Sequence, residues 1–152
     1  MSSFRPRYAL HDSIGYHMTL AARTFERRLE EGLRAAGLSR ADWCVLLAIE
    51  EEGRRTPSAI ARFLEVDRTA VSRTLRKLEA SGMVTRTRGG GDGRMRRLSV
   101  TDKGRAALDA AIPAATRTQA HFNAKLTAEE RAALIALLTR IRAGEPDSPS
   151  HI

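Results

Sequence analysis

From Arg68 to Leu78 the chain reads Arg-Thr-Ala-Val-Ser-Arg-Thr-Leu-Arg-Lys-Leu, without one acidic residue. Wound as a helix, this segment puts Ala70, Val71, Thr74, Leu75 and Leu78 on one apolar side. Arg68, Thr69, Ser72, Arg73 and Arg76 remain outward, with Lys77 flanking them. Positions 69, 72, 73 and 76 share one side of the helix. The chemistry such a side offers is hydrogen-bond donation to a polyanion. Arginines reach guanine edges or phosphates, and small hydroxyls let a helix approach the floor of a major groove. The plainer alternative is a solvated charged face, and the lack of any acid on it counts against that alternative.

A second basic group follows. Arg86, Arg88, Arg94, Arg96 and Arg97 place five positive charges in twelve residues. They flank the loop Gly89-Gly90-Gly91-Asp92-Gly93, and a Gly-rich tip permits close approach to a minor groove or a phosphate backbone. Asp92 is the acid of this loop. One reading has it accept hydrogen bonds from Arg94 and fix that arginine for insertion; the other is a turn-forming Asp between glycines.

Other chemistry finds little support. The Gly-rich loop precedes a strand rather than a helix, so it lacks the free amides of a phosphate cradle. G-x-S-x-G, H-E-x-x-H and a loop ending in G-K-[ST] do not occur in the sequence. His11, His17, His121 and His151 form no i, i+4 pair, and no Cys/His cluster has metal-ligand spacing. The expectation is therefore no enzyme, no metal and no cofactor. The single cysteine, Cys44, excludes an intrachain disulfide. It lies beside Trp43 and before Val45-Leu46-Leu47, where a buried, inert thiol is expected. A regulator responding to thiol oxidation at Cys44 is the alternative, and it requires exposure and positive surroundings.

The elements that must hold these residues are mostly helical. Leu10, Ile14, Met18, Ala22, Phe25, Leu29 and Leu33 recur every three or four residues and predict one long helix over 10–36, stopped by Gly37. Ser39 and Asp42 fit a capping box that opens a second helix, which Gly53 ends. Thr56-Pro57 opens a short third helix, Pro being tolerated in the first turn. A turn at Glu65–Asp67 leads into the fourth helix, over 67–81, with Asp67 as cap and Gly82 as stop. Val84–Arg88 and Met95–Val100 read as a hairpin, giving a wing over 84–100. Thr101 caps a fifth helix, which Pro113 should kink or end. Thr127 with Glu130 caps a sixth, carrying Ala133, Leu134, Leu137, Leu138 and Ile141. Residues 144–152, with Pro146 and Pro149, predict a disordered tail.

The chain of 152 residues suits one domain, with 42% hydrophobic residues and a formal charge of +8. That charge favours a polyanionic partner. No apolar run approaches the roughly 18–20 residues of a membrane span, and Met1–Arg7 lacks the apolar run of a signal peptide. The expectation is a cytoplasmic protein with no membrane partner.

Helix, short turn, helix and basic hairpin is the order of a winged helix-turn-helix. The stretch Leu78-Glu79-Ala80-Ser81-Gly82-Met83-Val84-Thr85-Arg86, then Asp92-Gly93-Arg94, then Leu98-Ser99-Val100-Thr101-Asp102-Lys103-Gly104, resembles the MarR family of bacterial transcription regulators, over about Leu10–Ala143. The resemblance implies a mainly α fold of six helices with a small β-hairpin wing, assembled as an intertwined homodimer. The implied division is an N-terminal arm (1–9), a dimerisation helix (10–36), a DNA-binding lobe (37–104), C-terminal dimerisation helices (105–143) and a tail (144–152). It implies double-stranded DNA as partner, a pseudo-palindromic operator with half-sites about 34–36 Å apart, repression as the default, and association with the nucleoid. Carried over by position, Ser72, Arg73 and Arg76 make base and phosphate contacts, Arg94 contacts DNA from the wing tip, and Asp92 orients it. Arg68, Thr69, Lys77, Arg88 and Arg96 complete the candidate DNA-binding set. Many relatives have an arginine where Gly93 stands, which puts a contact from that position in doubt. Many also bind a small phenolic or acidic effector between the dimer helices and the DNA-binding lobe; Tyr16, His17, Met18, Trp43 and Leu47 are the candidates here, with ordinary core packing as the alternative for Trp43 and Met18. A non-specific architectural DNA-binding protein is the competing function.

Overall fold

The computed structural model describes residues 8–88 and 96–145. A short 3-10 turn, Leu10–Asp12, precedes α1 (Ile14–Arg34), α2 (Arg40–Glu50), α3 (Pro57–Leu64) and α4 (Arg68–Ala80). The strands β1 (Val84–Arg88) and β2 (Arg96–Val100) follow, then α5 (Asp102–Asn123) and α6 (Ala128–Arg142). Six helices and a two-stranded antiparallel hairpin make a winged helix-turn-helix with additional long helices.

Local chemistry explains most boundaries. Ser39 Oγ accepts from the Asp42 amide while Asp42 Oδ2 accepts from the Ser39 amide, closing the predicted capping box of α2. Thr56, Asp67, Thr101 and Thr127 likewise accept an amide three residues on, opening α3, α4, α5 and α6. Such caps satisfy amides that have no partner inside the helix. Between α3 and α4 the chain reverses at Glu65, which takes the left-handed conformation (φ 54°, ψ 45°). The Val66 amide then closes onto the Ala61 carbonyl at 3.1 Å.

One expectation needs correction and another is narrowed. The first helix does not run unbroken from Leu10. Ser13 is extended (φ −80°, ψ 124°) and separates the 3-10 turn from α1. Ser13 and Gly15 are poor helix-interior residues, so local preference overrides the apolar stripe there. Of the two outcomes expected at Pro113, a kink or an end, the end does not occur, because α5 continues from Asp102 to Asn123. Pro113 lies on the exposed side, and Asp109, whose carbonyl it cannot serve, is exposed as well. Water can take that carbonyl, which removes part of the usual penalty.

The core joins α2, α3 and α4 to the hairpin and the lower part of α5. Leu33, Val45, Leu46, Ile49, Ile60, Val71, Leu75 and Leu98 are fully buried or nearly so. The hairpin pairs Val84 with Val100 and Arg88 with Arg96, and Arg55 adds a further rung by accepting from the Leu98 amide at 2.9 Å. Gly104 lets α5 start against this sheet. A Cβ there would collide with the Met83 carbonyl and with Val100 Cγ1. α1 runs antiparallel to α5, with Gly32 against Ala114 and the Phe25 ring 5.1 Å from Phe122. No residue of α6 is buried. Ile14, Leu20, Ile112, Leu134, Ile135, Leu137 and Ile141 are exposed apolar side chains on α1, α5 and α6.

Candidate nucleic-acid interface

α4 buries Ala70, Val71, Thr74, Leu75 and Leu78, as its spacing predicts. Arg68, Thr69, Arg73 and Arg76 are exposed, and Ser72 is half-buried. No described residue pairs with the Arg68 or Arg73 guanidinium, while Arg76 Nε donates to the Ser72 carbonyl at 3.4 Å. The amino end of the helix, carrying Arg68 and Thr69, follows directly from the α3–α4 turn. An open cleft there is lined by Ser58, Ala61, Arg62, Glu65, Val66, Asp67 and Arg68. Ser58 and Arg62 are exposed beside the same helix end, so α3 adds a hydroxyl and a cation to this face.

Lys77 differs from the arginines. Its Nζ donates to Asp42 Oδ2 at 2.5 Å, across to α2. Arg86 at the base of the hairpin is likewise engaged, its guanidinium forked onto the Glu79 carboxylate. Arg97 is exposed. Arg88 and Arg96 are partners in the hairpin register, the last pair among the described residues. Asp92 and Arg94 lie outside the described residues, as do most of the tail and the arm.

The five effector candidates do not converge within one chain. Trp43 and Leu47 pack half-buried against the lobe's core. Arg40, one turn before Trp43, pairs with Glu26 of α1 at 3.2 Å. Tyr16 lies ten residues earlier on α1, about 15 Å along the axis at 1.5 Å per residue. There the Tyr16 ring meets His11 and His17 edge to face, and His17 Nε2 sits 2.7 Å from the His11 carbonyl oxygen. Met18 is half-buried and His17 exposed. Tyr16 also lines an open groove with Tyr8, Leu10, Ser13, Gly15, Thr19, Leu20 and Arg23. Among the described residues, three buried side-chain polar atoms lack a partner: Arg40 Nε, Asp42 Oδ1 and Trp43 Nε1. All three belong to the first turn of α2.

Comparison with known proteins agrees with this architecture. The profile of the MarR family matches residues 36–95, a span that holds α2, α3, α4 and β1 and stops just before β2. An uncharacterised HTH-type transcriptional regulator of Bacillus cereus is 31% identical over 112 residues, 73% of this chain and 74% of its own. The chain belongs to the MarR family. A second relative of that type, YdgJ of Bacillus subtilis, is 31% identical over 106 residues, 70% of this chain; the match spans 65% of YdgJ. The repressor CouR, solved with p-coumaroyl-CoA, superposes with a TM-score of 0.78 at 28% identity, covering 91% of this chain and 98% of CouR. A MarR variant from E. coli, solved with operator DNA, gives a TM-score of 0.77 at 25% identity, covering 89% and 99%.

As a MarR-family protein the chain is a transcription regulator with a DNA-binding helix-turn-helix rather than an enzyme. Its Cys44 is half-buried, and burial pushes the thiol's pKa up, against a smaller opposing pull from the Arg40 charge. A raised pKa leaves less thiolate, the reactive form. No group of three or more His, Cys, Asp or Glu among the described residues could hold a metal ion, and no described helix is long and apolar enough to cross a membrane. Sequence reasoning missed Arg62 and Ser58 of α3 as neighbours of the amino end of α4. Their signal was available in the helix-turn-helix order, since a short turn brings the outward side of α3 to the start of α4.

Proposed function

We propose that this MarR-family regulator is a repressor that binds a pseudo-palindromic operator as a homodimer and releases it on binding a small aromatic or acidic molecule. The observation that carries the reading is the face of α4: Arg68, Thr69, Ser72, Arg73 and Arg76 point outward with no acid among them, and the Arg68 and Arg73 guanidinium groups have no partner among the described residues. Guanidinium groups that no acid of the chain has taken are available to guanine edges and phosphates. Arg88, Arg94 and Arg96 would follow the backbone or minor groove from the wing, with Asp92 orienting Arg94. Function at DNA places the protein in the cytoplasm, with the nucleoid.

Dimerisation is supported by the exposed apolar side chains of α1, α5 and α6. So many exposed apolar side chains on three helices favour association, and a two-fold dimer presents two copies of α4 about one helical turn apart. The effector reading is supported by the buried Trp43 Nε1, a donor without an acceptor, in the first turn of α2. A carboxylate or phenolate oxygen would satisfy it, and Tyr16, His17, Met18 and Leu47 would meet such a ligand only where a second subunit supplies the missing wall. p-Coumaroyl-CoA, bound by CouR, contains an aromatic acyl group. The raised pKa of Cys44 disfavours thiol oxidation as the signal.

The test is selection of bound duplexes from a random-sequence pool, followed by footprinting. The reading expects an enriched inverted repeat with two protected half-sites one helical turn apart. A pool that emerges unenriched, with uniform protection, would establish the architectural alternative instead.

A further inference from the structure

Asp42 serves two partners at once. Its Oδ2 accepts from the Ser39 amide at 2.9 Å, as part of the α2 cap, and from the Lys77 ammonium at 2.5 Å. The Asp42 side chain is 2% exposed and that of Lys77 is 62% exposed. A lysine whose stem stays largely in solvent thus sets its ammonium on a buried acid of the neighbouring helix. A buried carboxylate stripped of its cation is left with an uncompensated charge, so the pair resists separation.

Its position gives the pair a second significance. α2 and α4 otherwise meet through apolar side chains, and apolar attraction has no direction, so it fixes neither tilt nor register by itself. Among the described residues this is the ion pair that joins those two helices. One end stands in the α2 turn that holds Arg40 Nε, Asp42 Oδ1 and Trp43 Nε1 without partners. The other stands beside Arg76, one turn beyond Arg73.

We infer that Lys77 is a positioning residue rather than a phosphate contact: the Asp42–Lys77 pair ties the recognition helix to the first turn of α2 and couples the orientation of the one to the other. The coupling is reciprocal, so DNA that reorients α4 also moves the α2 turn. This inference rests on the proposed DNA-binding function of α4. Trp43 is the chain's single tryptophan, so its emission reports the α2 turn.

The experiment uses the full chain and the duplex it enriches from a random pool, with a scrambled duplex as control. Lys77→Met, Lys77→Arg, Asp42→Asn and the Lys77→Met/Asp42→Asn double variant are titrated by fluorescence anisotropy across a salt series. Expected are a loss of about tenfold or more on the enriched duplex for Lys77→Met and Asp42→Asn, little change on the scrambled duplex, and a double variant no worse than either single. Lys77→Arg keeps the pair and near-native affinity. The salt slope stays unchanged, whereas loss of a phosphate contact lowers it by about 0.9 for each contact. Saturating duplex shifts Trp43 emission in the native protein and not in Lys77→Met. A lowered salt slope in Lys77→Met overturns the inference, and so does an emission shift that survives this substitution or is missing from the native protein. Should Asp42→Asn not fold, the two Lys77 variants decide. If the native protein enriches no sequence, the functional reading fails first; enrichment with indifferent variants sinks the tie alone.

Discussion

Arg73→Ala isolates the chemistry of the α4 face. Arg73 is exposed, has no hydrogen bond or ion pair among the described residues, and lies next to Ser72 and about one turn before Arg76. Its removal breaks nothing inside the fold, so stability should change by no more than about 0.5 kcal/mol, as at an ordinary surface position. An arginine bidentate to a guanine contributes about 1–3 kcal/mol of binding. In a two-fold dimer the loss occurs at both half-sites, about 2–6 kcal/mol in all, or roughly 30-fold and upward in Kd. Arg76→Ala is the internal comparison, since its Nε is already on the Ser72 carbonyl at 3.4 Å. Anisotropy titration against the enriched duplex and against single-base variants at each half-site reads both affinity and specificity. The expected signature is weaker binding together with relaxed discrimination at one base pair. An Arg73→Ala protein with native affinity and native discrimination would refute the assignment of α4 as the reading helix.

Other consequences can be checked independently. Ile135→Glu places a charge on the apolar face of α6, and losing about 1.5–3 kcal/mol of apolar burial in each of two subunits raises the dimer dissociation constant about 100-fold or more; sedimentation equilibrium at micromolar concentration would show monomer, and a native-like dimer would contradict the assignment of α6 to the interface. Gly104→Ala forces a Cβ against the Met83 carbonyl and Val100, and overpacking of that kind costs about 1–3 kcal/mol; thermal unfolding should show a clear fall in Tm, and an unchanged Tm would mean the hairpin–α5 junction has slack. Cys44, with its pKa raised by burial, holds less thiolate at pH 8 than in the unfolded chain, so an aromatic disulfide reagent should label it more slowly in buffer than in urea. Equal rates would return thiol oxidation to consideration.

The features legible in the sequence are those written locally. Ser39 with Asp42, Thr56-Pro57, Asp67 and Thr127 with Glu130 each satisfy amides within three residues, so type and spacing name the helix starts. The division of α4 into a buried and an open side follows from periodicity alone. What periodicity cannot show is where a long side chain goes. Lys77 and Arg86 read as DNA-facing cations, yet Asp42 of α2 and Glu79 of α4 take them. The Arg55 rung on β2 depends on two segments that meet only after folding. The break at Ser13 and the passage of α5 through Pro113 are contests between weak local preferences and packing, which an apolar stripe does not decide. The gap between Tyr16 and Trp43 has a different cause: sequence pattern gathers candidates by type, and a long straight helix keeps them apart.

The central claim is that the α4 face reads sequence, and titration of the native protein settles it most directly. The enriched duplex and a scrambled duplex of equal length are compared by anisotropy at physiological salt. The account predicts binding to the enriched duplex about 10³-fold or more tighter than to the scrambled one. Equal affinity for both, with the same steep loss on adding salt, would show that phosphates alone are recognised and would contradict it.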